Sequence, residues 1–375
     1  MKYLRHLFCI MMLALCTLPA VAQDDSHHDG EKKGIDLQEV LWGHIKDAYS
    51  WHIADIGGKP IVINLPVIVK TSTGWHFFCS SKFSHHEDEQ GRRWALDENG
   101  QPDTNLNLYV SSVKDDNKIY EVVNGEAKKV TLDFSITKTV MVLFIDAIIL
   151  ILCILIPARW CKKHKVDDPA PKGFTGLVHM FVMYIYDDVI KPSLGKEADK
   201  YAPYLLTCFF FIFVANIMGV VPFPPGGGNL TGNITFTFLL ALCTFIITNV
   251  TGTKAYWKDI FWPHVPTWLK VPVPLMPFIE FFSIFTKPLA LMIRLFANMM
   301  AGHAIAISLT CIIFIMFAIN AIAGTAMTAV SVAMSVFMML LELLVCFIQA
   351  LVFTMLSAVF ISLAHVKEEH AVEKA

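Results

Sequence analysis

The chain has 375 residues, 55% of them hydrophobic and only 17% charged, with a mean hydropathy of +0.54. That balance is too apolar for a soluble globular domain and points to a multi-span membrane protein. The formal net charge of −2 gives no basis for nucleic-acid binding, and no G-x-x-x-x-G-K-[ST] loop, H-E-x-x-H pair or paired C-x-x-C starts a nucleotide or zinc reading.

The N-terminus is basic, Met1-Lys-Tyr-Leu-Arg-His, and is followed by an apolar stretch at 7–18 and by Pro19-Ala-Val-Ala22. This pattern predicts a cleavable secretory signal over 1–22, cut after Ala22, which leaves the mature N-terminus outside the cytoplasm. Lipoprotein processing before Cys16 fits less well, because bulky Leu15 stands where a small residue is needed. Two of the nine cysteines leave with the signal, Cys79 is the only one in the polar region that follows, and six lie in or beside apolar segments as small hydrophobes. No intrachain disulfide is expected.

Residues 23–135 are polar and mixed in charge, and predict a small, mainly β extracytoplasmic domain of one helix and short strands. Apolar residues at helical spacing predict an amphipathic helix over 36–54. Strand-like runs follow at 61–70, 75–83, 105–113 and 119–123, and Asn124-Gly125 signals a hairpin before a run at 128–134. The pairs His27-His28 and His85-His86 lack a third ligand at zinc-site spacing, so neither metal nor cofactor is expected.

The remainder, 136–375, reads as an all-α polytopic membrane domain. A first span at 139–157 runs into Arg159-Trp-Cys-Lys162-Lys163-His-Lys165, which marks the cytoplasmic face. Residues 172–200 predict an amphipathic segment at that interface. Spans at 204–221 and 234–250 flank an uncharged outer loop, and a proline-rich stretch at 263–277 breaks any helix there. Two apolar segments close the chain, 278–319 and 326–364. At 1.5 Å per residue each is about twice the ~30 Å hydrocarbon thickness, so both are expected to be strongly tilted or kinked. Five crossings result, with the C-terminus inside.

Arg294 lies deep within the first of these long segments. A guanidinium stays charged at any accessible pH, and at a helix centre it costs roughly 2.5–3.5 kcal/mol even on lenient scales. Snorkelling to an interface fits poorly, because apolar residues continue for more than a dozen positions on both sides. The other polar residues nearby are Glu280, Lys287, Asn298, His303, Glu342 and Gln349. An antiparallel hairpin turning at Asn320-Ala-Ile-Ala-Gly324 sets Arg294 level with Gln349 and His303 level with Glu342. Glu280 lies toward the cytoplasm on nearly the same face as Arg294. Read from outside inward, this is a His/Glu pair, an Arg/Gln layer and a lone acid, the layout of a proton path divided by a fixed charge. Two blander readings stand beside it: mutual neutralisation of His303 and Glu342, and interhelical hydrogen bonding by Asn298 and Gln349. Asp146, alone in the first span, can face either a wet crevice or a partner chain.

The run Lys287-Pro-Leu-Ala-Leu-Met-Ile-Arg294-Leu-Phe-Ala-Asn298-Met-Met-Ala-Gly302 resembles the signature of subunit a of the F-type ATP synthase membrane sector. The order of spans from about residue 135 onward is similar too, whereas the region before it is far longer than that family's usual outer N-terminus. The resemblance implies that Arg294 is the stator arginine facing rotor-ring carboxylates. It implies that Glu280 is the acid of the cytoplasmic half-channel, that His303 and Glu342 are the outer half-channel pair, and that Asn298 and Gln349 are the arginine's polar partners. Relative to the common bacterial pattern, His303 and Glu342 are exchanged, as in mitochondrial members. The implied function is a proton channel, not an enzyme by itself, in a bacterial inner membrane. Its implied partners are the rotor ring of subunit c, peripheral-stalk subunit b, the other synthase subunits and lipid. On the residues alone, a secondary transporter with an intramembrane charged site is the main rival, although the internal repeats and paired broken helices usual in such folds are not seen. A membrane-anchored receptor is a second rival.

Overall fold

The computed structural model describes residues 47–56, 59–84, 88, 91–97, 101–103, 106–111, 117–123, 126–164, 171–221, 227–261 and 275–365. The signal segment, both histidine pairs and the expected helix before residue 47 lie outside them. The chain divides into two units, residues 1–141 with 306–335, and residues 142–305 with 336–375.

The first unit holds strands β1 (Ser50–Ile56), β2 (Lys59–Asn64), β3 (Pro66–Thr71), β4 (Gly74–Cys79) and β5 (Arg92–Trp94). After them come β6 (Leu108–Ser111), β7 (Lys118–Val123), β8 (Glu126–Lys129) and β9 (Leu132–Asp133). All pairings are antiparallel: β1-β2, β4-β3-β9 and β5-β6-β7-β8. The helix expected over 36–54 is therefore corrected from Ser50 onward, where β2 offers the backbone a ladder partner that helical spacing of apolar residues did not reveal. The run expected as one strand over 61–70 breaks at buried Leu65. Its N–H donates to Ser80 Oγ at 3.0 Å and its carbonyl accepts from Ser80 N–H at 2.9 Å, so the chain turns a corner there. Val123 faces Glu126 across the expected Asn124-Gly125 turn.

The inward faces of the two larger sheets share one core. Val67 and Val69 of β3 meet Leu108 and Val110 of β6 and Ile119 of β7, closed by Tyr49 and Phe83. The domain is tied to the first membrane helix, α1 (Lys138–Lys163). The amides of Lys138 and Thr139, which have no partner inside the helix, donate to Ala48 O at 2.8 Å and to Asp47 Oδ1 at 3.0 Å.

The other elements are helices, which form the second unit and, over 306–335, part of the first. After α1 come α2 (Phe174–Tyr184), a π-helical turn (Ile185–Ile190), α3 (Lys191–Leu194) and a 3₁₀ turn (Gly195–Glu197). Then follow α4 (Ala198–Val220), α5 (Ile234–Thr251), α6 (Lys254–Phe261), α7 (Leu275–Ile319) and α8 (Ala321–Ala364). Among the described residues, five helical elements are long and apolar enough to cross a membrane, so the chain is a multi-pass membrane protein. The segment expected at the interface is helical and amphipathic, with Asp187, Asp188 and Lys191 exposed and Ile185, Val189 and Ile190 buried. It turns into α4 at Gly195, whose φ of 55° suits a residue without a Cβ. α4 is the hub: Leu205, Phe209 and Ile212 are buried in a core shared with Ala241 of α5, Leu291 and Leu295 of α7, and Ala350, Phe353 and Ile361 of α8.

The two long helices have 45 and 44 residues, about 66–68 Å each at 1.5 Å per residue. A single residue, Asn320, separates them. Its Oδ1 accepts from Ile322 N–H at 2.9 Å, and its carbonyl accepts from Gly324 N–H at 2.8 Å. A Cβ on Gly324 would stand 2.6 Å from the Phe317 ring, so only glycine lets the turn close this tightly.

Tyr49 donates its hydroxyl to Asp133, locking the loop before β1 to β9. Burial, and then that hydrogen bond, push the phenol above its ordinary range. A raised phenol pKa stabilises the folded form fully below the unfolded value of ~10, and the contribution is lost as pH rises beyond it. Tyr49→Phe is expected to cost about 1 kcal/mol at neutral pH and to weaken the domain's alkaline destabilisation. Urea-dependent pulse proteolysis of the N-terminal β domain at neutral and strongly alkaline pH measures both effects.

Candidate ion-translocation site

The fold brings His303 and Glu342 together. Nδ1 of the histidine lies 3.5 Å from Oε1 of the glutamate, both side chains being largely buried. Neither atom has a hydrogen-bond partner among the described residues. Their approach depends on Gly302: a Cβ there would stand 2.6 Å from Glu342 Oε1 and 3.0 Å from its carboxyl carbon. The glycine was legible in the motif, but its role was not, because it comes from the facing helix.

Arg294 is placed differently. Leu291, Leu295 and Met299 form the buried stripe of α7, and Arg294 projects from the other side of the helix on a face with Ala290, Ala297 and Ala301, all exposed. Among the described residues it has no hydrogen bond or ion pair, and none joins it to half-buried Gln349 or Asn298. Nine residues separate Arg294 from His303, two and a half turns, so the pair and the arginine address opposite sides of α7.

Toward the other end of the bundle lies a cavity of about 20 Å³ lined by Thr244, Thr248, Asn249, Tyr256, Lys287 and Leu291, among others. Thr248 Oγ1 is buried there without a hydrogen-bond partner among the described residues. The volume suits about one water molecule. Tyr256 donates to Asn249 Oδ1 at 3.4 Å. Burial first, and then the negative charge of Glu280, raise the Tyr256 phenol, so Glu280 acts electrostatically on this corner. Thr248, Asn249 and Tyr256 were not marked by the sequence, since each is an ordinary residue until packing gathers the three around one cavity. On the opposite side, Asp146 is fully buried with both carboxylate oxygens unpartnered among the described residues. Val142, one turn before it, packs on Gly228, where a Cβ would stand 2.3 Å from the valine. Asn216 accepts from Thr231 at 2.7 Å, while its own Nδ2 and that of Asn229 have no partner among the described residues.

Such a fold and site define a class: a polytopic membrane subunit whose final helix hairpin carries titratable residues and one permanent cation. Residues 140–362 match the family model described as ATP synthase A chain. The chain belongs to that family, and is a membrane component of the F-type ATP synthase with other synthase subunits as its partners. It is 43% identical over 249 residues to ATP synthase subunit a of Chlorobium phaeobacteroides (strain DSM 266 / SMG 266 / 2430), covering 65% of this chain and 69% of that protein. It is 38% identical over 245 residues to ATP synthase subunit a of Myxococcus xanthus (strain DK1622), covering 64% of this chain and 76% of that protein. Residues 40–140 match a separate family model, described as a domain of unknown function, DUF8433.

Gly302→Ala supplies a specific test of the pair's geometry. The inserted methyl meets only the end of the flexible Glu342 side chain, so assembly is expected to survive while the carboxylate moves off His303. ATP-driven proton pumping in membrane vesicles should then fall severalfold with subunit a still present at normal levels.

Proposed function

We propose that the chain is the stator proton channel of the synthase, delivering protons through two offset half-channels to and from carboxylates on a rotor ring of subunit c. The observation that carries this reading is the placement of Arg294: exposed, without an ionic partner among the described residues, on an alanine-lined face at membrane depth. A fixed charge there calls for an anion supplied by another protein, and small neighbours allow a partner helix to come close.

Protons enter from the outside, where Asp146, Asn216 and Asn229 offer buried polar atoms that call for water. They pass to His303 and Glu342, whose imidazole Nδ1 and carboxylate Oε1 lie 3.5 Å apart on the helix seam. From this seam the proton reaches a ring carboxylate, which as a neutral acid can face lipid. After nearly a full turn the acid meets the inner half-channel at Glu280, near the small cavity lined by Tyr256, Asn249 and Thr248, and gives up its proton. Arg294 favours the ionised carboxylate by charge attraction and cannot relay a proton itself. It therefore separates the half-channels while letting the ring move on. Asn298 and Gln349 hold the polar layer beside it. In this reading the mature N-terminus is periplasmic, the C-terminus cytoplasmic, and peripheral-stalk subunit b anchors the stator in a bacterial inner membrane.

Arg294→Ala is expected to abolish proton-driven ATP synthesis and to open a passive proton leak. Intact coupled synthesis in vesicles of that variant would overturn the assignment. Exchanging His303 and Glu342 together should retain more pumping than either single change, since a pair is restored. A double exchange no better than the singles speaks against a paired role.

A further inference from the structure

The sheet β4-β3-β9 has one face in the domain core and one turned away from it. The outward face carries Pro66, Ile68 and Lys70 from β3, Trp75 and Phe77 from β4, and Leu132 followed by Phe134 at β9. Phe77 is 71% exposed, Phe134 62%, Trp75 48% and Leu132 43%. The rings are organised: Trp75 lies 6.5 Å from Phe77 and 6.1 Å from Phe134, centroid to centroid. The one charge on this face is cationic, with Lys70 Nζ 5.9 Å from the Trp75 ring. A contiguous aromatic surface of this kind is not left to water.

We infer that this face is a lipid-binding surface, seated at the headgroup boundary of the leaflet from which α1 starts. Covalent geometry puts it there. Ile136 N–H donates to Pro66 O at 3.1 Å, and α1 begins two residues later at Lys138. At no more than ~3.6 Å per residue, the Pro66 end of β3 lies within about 10 Å of the helix start. The apolar run of α1 from Val140 to Pro157 is about 27 Å long at 1.5 Å per residue and nearly fills the ~30 Å core, so Lys138 stands at the boundary. The chemistry matches that position. Trp and Phe belong at the membrane interface, and Lys70 can lay its stem along the apolar face and present its ammonium to phosphate. The amides of Lys138 and Thr139 donate to Ala48 and Asp47, so the domain is joined to the first turn of α1 by hydrogen bonds as well as by the chain.

A photoreactive p-benzoylphenylalanine in place of Phe77, in the full chain within its complex in native membranes, tests this directly. The substitution enlarges a side chain that already points outward, and the same probe at Phe134 serves as a second reporter. Lys128 of β8 is the control. It is exposed and pairs with Glu121, whose carboxylate accepts from Ser72 N–H at 3.0 Å, at the end of β3 remote from Pro66. On irradiation the expected product at 77 and 134 is a phospholipid adduct, lost at 128. Crosslinking of 77 and 134 to polypeptide, of this chain or a neighbour, would overturn the inference. So would equal lipid labelling at 77 and 128, or no adduct at 77 and 134.

Discussion

A guanidinium in hydrocarbon has to be answered by something, and in this protein the answer does not come from within the described chain. Arg294 keeps its charge, lies at membrane depth and faces outward from α7 among alanines, while the helix's bulky residues Leu291, Leu295 and Met299 turn inward to pack. The packing of the second unit follows from that division. α4 holds α7 and α8 from one side, so the opposite side of α7 is left presenting a cation. The hairpin can place this charge only because both helices are continuous over more than forty residues, with a break of one residue at Asn320.

The His303/Glu342 pair obeys a different constraint. It sits on the seam between the two long helices, where Gly302 removes the one Cβ that would meet the glutamate carboxylate. The pair and the arginine therefore share a helix but not a face. The small polar cavity by Tyr256 lies toward the end of the bundle that carries Glu280. Titratable groups thus flank the cation along the bundle, separated by a charge that cannot be discharged.

The N-terminal β domain solves a separate problem. A β-sheet of this size buries one face against a second sheet and must do something with the other. Here the free face of β4-β3-β9 is aromatic, and the bonds that cap α1 tie the domain to the start of a membrane span. A domain match distinct from that of the membrane half fits a module joined to the subunit at the first helix. Its fold is held by its own core around Val67, Leu108 and Ile119.

Sequence alone determined much of the membrane half: five spans, two of them overlong, a turn near Asn320, and the pairing of His303 with Glu342 in register. These features were legible because hydrocarbon imposes a simple rule, that apolar runs become helices and rare charges stand out against them. The N-terminal β domain was less legible. Helical spacing before residue 50 gave no sign that Ser50–Ile56 would pair with β2, since strand pairing depends on a partner distant from any local window. Only tertiary structure decided which way the site residues face. Gly302, Tyr256, Asn249 and Thr248 acquire their places from neighbours on other helices, and the outward face of Arg294 is set by which side of α7 the hub helix covers. Spacing along a chain fixes depth and periodicity; the side that stays open is chosen by what packs against the rest.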